Sequence, residues 1–210
     1  MTPLRGAFQL LWDLNVKAVP SALSWAISFW FVMESQSLFI RALAIIVASL
    51  TALISVTLVS NEFGGVSAVA WTSLFKDRLT WKLLTSTGLL LDMSLQNADQ
   101  AKSGSYFVKL GLSALFLSSL ILWLMVLVVY LPVRAQIQDR AVPLATVAAT
   151  LEFVRHRVKY VVSALSVLLL AWPIFFIYLF LGLTFAHSVI VSSLGDLANA
   201  STRKTRVQVA

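Results

Sequence analysis

VKYVVSALSVLLLAWPIFFIYLFLGLTFAHSVIVSSLGDL, residues 158–197, carries no Asp, Glu, Lys or Arg between Lys159 and Asp196. As one helix it would reach roughly 60 Å, about twice the hydrocarbon thickness of a bilayer. It must therefore be divided. Pro173 has no N–H to give and marks the predicted break, with Gly182 as the other candidate. The two pieces are Val158–Trp172 and Ile174–Leu197.

Upstream lie four further apolar runs: Ala18–Met33, Leu38–Val59, Leu79–Leu95 and Tyr106–Leu131. The 210-residue chain is 59% hydrophobic and 12% charged, whereas soluble domains carry roughly 25% charged residues. That leaves too little polar side chain to clothe a water-facing globule. The expectation is an all-α polytopic bundle of about six transmembrane helices, forming a single integral membrane domain over residues 1–210. Arg5 and Lys17 precede the first run, but no small-x-small pattern follows it, so it reads as an uncleaved span.

Basic residues set the orientation. Arg5, Lys17, Lys76, Arg78, Lys82, Arg134, Arg140, Arg155, Arg157 and Lys159 fall on one side of such a bundle, ten of the sixteen in the chain. Arg41, Lys102 and Lys109 fall on the other, beside Glu34, Asp92 and Asp99. The positive-inside rule makes the first side cytoplasmic. With six spans the tail cations Arg203, Lys204 and Arg206 return there, so both termini are expected to be cytoplasmic in a plasma (inner) membrane. The net charge of +7 is spread over segments flanking apolar runs, which speaks for membrane orientation and against a nucleic-acid partner. Trp30, Tyr106 and Trp172 fall at outer ends, and Trp12, Trp71, Trp81, Tyr130 and Tyr160 at inner ones, as headgroup-level aromatics do. Trp123 fits neither belt and is expected to pack against a neighbouring helix.

Two cytoplasmic segments look amphipathic. Leu144, Val147, Leu151, Val154 and Val158 recur at spacings of three and four, as do Trp71, Leu74, Phe75 and Leu79. The segments also align without gaps, Leu74–Trp81 on Phe153–Tyr160, and each runs directly into an apolar helix. This suggests a parallel internal repeat, although any basic, aromatic helix entry would share the pattern.

Chemistry-bearing motifs are sparse. Cysteine is absent, which excludes disulfides and Cys-based metal sites. The two histidines, His156 and His187, form no metal or triad spacing, so no catalytic residue, metal or cofactor is expected. His187 lies inside the last span, where an ionisable group suggests an intramembrane polar site. A neutral ring bonded to a nearby Ser or carbonyl is the cheaper reading. Arg41, Glu34 and Asp92 could form an outer vestibule or snorkel to headgroups. Serines in the first, second and last spans could line a polar path or, with Ala22/Ala26 and Ala48/Ala52, permit close helix packing. Gly64-Gly65 reads as a turn and not as a phosphate loop.

The segment WTSLFKDRLTWKLL, residues 71–84, leading into Gly88, and the later stretch Leu144–Leu170 with Trp172-Pro173 resemble the YesL-like family of small bacterial membrane proteins. The first span departs from that family's pattern. The resemblance implies an accessory role in carbohydrate uptake and supplies no site residues. The expected function is a non-enzymatic membrane accessory, with Trp71, Phe75, Arg155 and Arg157 contacting lipid or a partner such as transporter subunits or a second copy. The alternative is a small-solute transporter or channel in its own right.

Overall fold

A computed structural model describes residues 3–62, 74, 76–100, 105–136, 143–174 and 182–195. Among them the structure is all-α and contains no strand. The helices are α1 (Pro3–Glu34), α2 (Leu38–Glu62), α3 (Arg78–Gln100) and α4 (Tyr106–Met125). A π-helical turn (Val126–Tyr130) joins α4 to α5 (Leu131–Gln136), followed by α6 (Pro143–Ile174) and α7 (Gly182–Gly195).

The first expected span is the second half of a longer helix. α1 runs through Pro20, whose ring is on the exposed side. It turns back on α2 through Ser35–Ser37, where the Ser37 N–H donates to Ser35 Oγ at 3.2 Å. Ala22, Ala26, Ala48 and Ala52 are all buried, so the small-residue spacing lets the two backbones lie close. At the far end of this hairpin, Lys17 Nζ donates to Glu62 Oε1 at 2.6 Å. Ser28, Ser49, Thr51 and Thr57 donate to carbonyls one turn back, which satisfies these hydroxyls without any outside partner.

Trp25, Phe29 and Trp123 stack at the centre, with the two indole rings 6.0 Å apart. This is the expected packing role of Trp123. Around the short helix α7, Ala186, His187, Ser188, Val189, Ile190 and Val191 are each 0% exposed. Six successive positions cover every side of a helix, so α7 is enclosed by the rest of the molecule.

Large apolar side chains face outward instead. Val19, Leu23, Ile27, Trp30 and Phe31 are exposed on α1, Phe39, Leu43 and Ile46 on α2, and Leu89 and Met93 on α3. Two helical segments, Leu38–Glu62 and Tyr106–Ala135, are long and apolar enough to cross a membrane among the described residues. The expected spans elsewhere fall short for identifiable reasons. α3 holds Arg78, Lys82, Asp92 and Asp99, and α7 has fourteen described residues, about 21 Å.

In the long apolar stretch α6 continues past the predicted break, through Pro173 to Ile174, and α7 covers Gly182–Gly195; the other candidate break, before Gly182, lies outside the described residues. α6 bends at Arg157 (φ −126°, ψ 27°), one residue before the predicted start of span five. The predicted amphipathic stripe is split, with Val147 and Val154 packed against the core and Leu151 and Val158 left outside. Thr146 and Phe153 are buried, whereas Leu151 and Val158 are 66% and 53% exposed. Tyr130, expected at headgroup level, is also buried.

Candidate functional site

α3 is fastened by two Arg–Asp pairs, one at its start and one well along its length. Asp77 precedes the helix: its Oδ1 accepts the Leu79 N–H at 3.0 Å and its Oδ2 accepts the Thr80 hydroxyl at 3.0 Å. This caps one of the free N–H groups of the first turn, that of Leu79. Arg134 on α5 donates Nε–H to Asp77 Oδ2 at 2.7 Å, tying the cap to a second element. Burial pushes the Asp77 carboxyl up, but the hydrogen bonds from Arg134, Thr80 and Leu79 outweigh it and hold the group below 3.8, the ordinary value.

Further along α3, Arg41 Nε–H donates to Asp92 Oδ1 at 2.8 Å, and Nη1 donates to Ser35 O at 3.2 Å. Gln96 Nε2 donates to Asp92 Oδ2 at 2.8 Å. Arg41 and Asp92 are 4% and 5% exposed, so they pair inside the bundle and do not snorkel. Glu34 is exposed.

His187 joins three elements. Its Nε2 lies 3.0 Å from Leu127 O and its Nδ1 lies 2.9 Å from Ser55 Oγ. A carbonyl only accepts, so Nε2 carries the hydrogen, and in the neutral ring Nδ1 accepts from the Ser55 hydroxyl. The sequence explains why Leu127 O is free. In the π-helical turn the Leu131 N–H bonds to Val126 O. The next donor in that i+5 series would be residue 132, which is proline and has none. Pro132 thus creates an acceptor that α7 satisfies. Thr184, Ser192 and Ser193 on α7 and Ser60 on α2 are buried polar neighbours in sequence, and their hydroxyls have no protein partner among the described residues.

Between α2 and α3 lies an apolar cleft of about 180 Å³, lined by Ile45, Ile46, Trp81, Leu84, Gly88 and Asp92 among others. A Cβ on Gly88 would stand 2.6 Å from Ile45 Cγ2, so only glycine allows this approach. The cleft is shallow in polar groups and offers hydrocarbon contact more than chemistry.

Of the surface residues singled out in the sequence, Arg155 is exposed and Arg157 half-buried at the bend of α6. Arg157 Cζ and Lys159 Nζ lie 5.9 and 5.0 Å from the centre of the Tyr160 ring. Trp71 and Phe75 lie outside the described residues. The Asp77–Arg134 pair, Gln96 and the Leu127 carbonyl were not anticipated. An Asp before Arg78 and a Pro inside an apolar run were the available signals. Among the described residues no group of three or more His, Cys, Asp or Glu could hold a metal ion. No family model matches the chain, nor does any curated protein or solved structure.

Proposed function

We propose that the chain is a multi-pass membrane protein without enzymatic activity that serves as an accessory to a membrane transport complex. The observation that supports this most directly is an apolar exterior around an apolar core that also encloses polar and charged side chains. Arg41, Asp92, His187 and numerous Ser and Thr are buried, while large aliphatic and aromatic groups cover the outside. In water that surface would aggregate; in hydrocarbon it is the favourable arrangement, and buried polar groups then need internal partners. Six crossings with the basic ends and both termini in the cytoplasm account for the charge distribution. Leu74 and Phe153 are both buried at matching places in the two aligned blocks, and each block is interrupted near its Arg, at Asp77 in the first and one aligned position later, at Arg157, in the second. This favours the internal repeat.

Carbohydrate uptake in a bacterial plasma membrane is the setting that the YesL-like resemblance suggests. Leu151 and Val154, with Arg155 beside them, offer a docking face on the cytoplasmic half of α6. Gentle solubilisation of the tagged chain should recover a transporter subunit, and Leu151→Ser with Arg155→Glu should lower sugar uptake. Absence of any such subunit together with unchanged uptake would remove this reading.

A second reading rests on the buried hydroxyls along α7 and α2, which could carry a small solute past His187. Reconstituted protein should then show solute flux that His187→Ala and Ser55→Ala abolish. Flux indifferent to both changes discards the pathway.

A further inference from the structure

The bend of α6 collects cations that lack acidic partners. Elsewhere Asp77, Asp92 and Glu62 each pair with an Arg or Lys. Among the described residues, no carboxylate pairs with Arg155, Arg157 or Lys159. Glu152 is the sole carboxylate of the whole helix, and it is exposed. His156 turns away, its Nδ1 against Glu152 O at 2.9 Å. Arg157 and Lys159 instead converge on one ring, that of Tyr160. Two like charges brought together without an anion between them repel, and an acceptor of charge −1 or more would reverse that sign.

The position of this pair along the chain identifies the anion. No further Lys, Arg, Asp or Glu occurs from Tyr160 to Gly195, so Lys159 is where the charged sequence stops and the apolar sequence begins. Leu151, Val158 and Val162 form one exposed apolar stripe across the bend, 53 to 66% exposed. A helix that passes from cationic to apolar at a bend, with its aliphatic stripe continuing on the outside, places that bend at the phosphate layer. We infer that Arg157 and Lys159, held against Tyr160, bind the phosphodiester of an anionic phospholipid in the leaflet that faces the basic segments. This rests on the membrane reading above. The lipid's acyl chains then lie along Val158 and Val162, and its phosphate supplies the missing counter-charge.

The test uses the full chain, purified in detergent and offered phosphatidylglycerol or phosphatidylcholine of matched acyl chains, with retained lipid read by native mass spectrometry. Wild type should retain phosphatidylglycerol in preference to phosphatidylcholine. Arg157→Gln and Lys159→Gln should each reduce that preference about fivefold, consistent with the attraction of a single cation to an anionic surface. Arg157→Lys should keep it, and Arg5→Gln, at an exposed cation of α1, should leave it unchanged. Thermal unfolding of each variant in the same detergent verifies that it is folded. Equal retention of the two lipids by wild type overturns the inference, as does an equal loss on Arg5→Gln. So does displacement of phosphatidylglycerol by inorganic phosphate, because a soluble anion would then be the ligand. A chain that sediments with membranes yet shows no lipid preference sinks this inference alone; one recovered without detergent sinks the membrane reading as well.

Discussion

Arg41 and Asp92 are almost fully buried and 2.8 Å apart, and the cost of disturbing them depends on which partner is removed. Arg41→Ala leaves a carboxylate without its cation in a dry setting, and Asp92→Ala does the reverse. Each should destabilise the protein by about 3–5 kcal/mol, whereas the paired change Arg41→Met with Asp92→Leu should cost much less. Unfolding in detergent of the two singles and the double checks this; additive losses would show that the charges do not act as a pair. Asp77 answers to pH as well. Its folded carboxyl is held below 3.8, so the folded state binds its proton less readily than the unfolded chain. The resulting stabilisation is fully present above that value and is lost as pH falls through the lower folded value. Wild type should therefore exceed Asp77→Asn in thermal stability at neutral pH, and the gap should close in acid. The sequence brought Arg41 and Asp92 to one outer level without joining them, and it gave no sign of the Asp77–Arg134 pair. Periodicity assigns a residue to a helix face, but nothing in linear order joins position 41 to 92 or 77 to 134.

The helix that begins at Tyr106 shows what an apolar pattern can and cannot reveal. Its start was legible because Tyr106 opens an uncharged run after Lys102 and Ser103, broken only by Lys109. The π-helical turn was not, because residues 120–133 are nearly all apolar and show no period to interrupt. Pro132 was the informative residue, through the donor it lacks. This predicts a coupling between elements. Pro132→Ala restores an N–H near Leu127 O and relieves its dependence on His187. His187→Ala should then destabilise wild type more than it destabilises the Pro132→Ala variant, by about 0.6 kcal/mol and at most about 1.7. A double-mutant cycle measured by unfolding in detergent reads the difference, and a coupling of zero would show that Leu127 O finds another donor. In α6 the boundary was legible and the face only in part. The bend falls at Arg157, beside the predicted Val158. The packing face is set by Thr146 and Phe153, since in a molecule with an apolar exterior a hydrophobic stripe does not imply burial.

That last point governs the molecule as a whole, because apolar side chains outside as well as inside remove the usual link between hydrophobicity and interior. What remains to fix the arrangement is the position of charge along the membrane normal. Asp77 and Asp92 stand about 22 Å apart along α3 at 1.5 Å per residue, so the two Arg–Asp pairs mark opposite ends of one layer. Lys76 and Arg155 belong with the Asp77 end by their places in the aligned blocks, while Glu34 lies beside the Ser35–Ser37 turn that holds Arg41. The chain contains no cysteine, so single cysteines can be introduced without background. Lys76→Cys and Arg155→Cys should be blocked from a membrane-impermeant maleimide in intact cells and react once the membrane is opened. Glu34→Cys and Lys109→Cys should react in intact cells. Retention of the positive-inside bias predicts this division, because each added Lys or Arg on the far side opposes translocation. Labelling of residue 155 from outside would place the phosphate-binding bend of α6 in the other leaflet and separate it from the docking role. Labelling of residues 34 and 155 from the same side would mean that the apolar helices between them cross an even number of times in total, which six crossings with these boundaries do not allow.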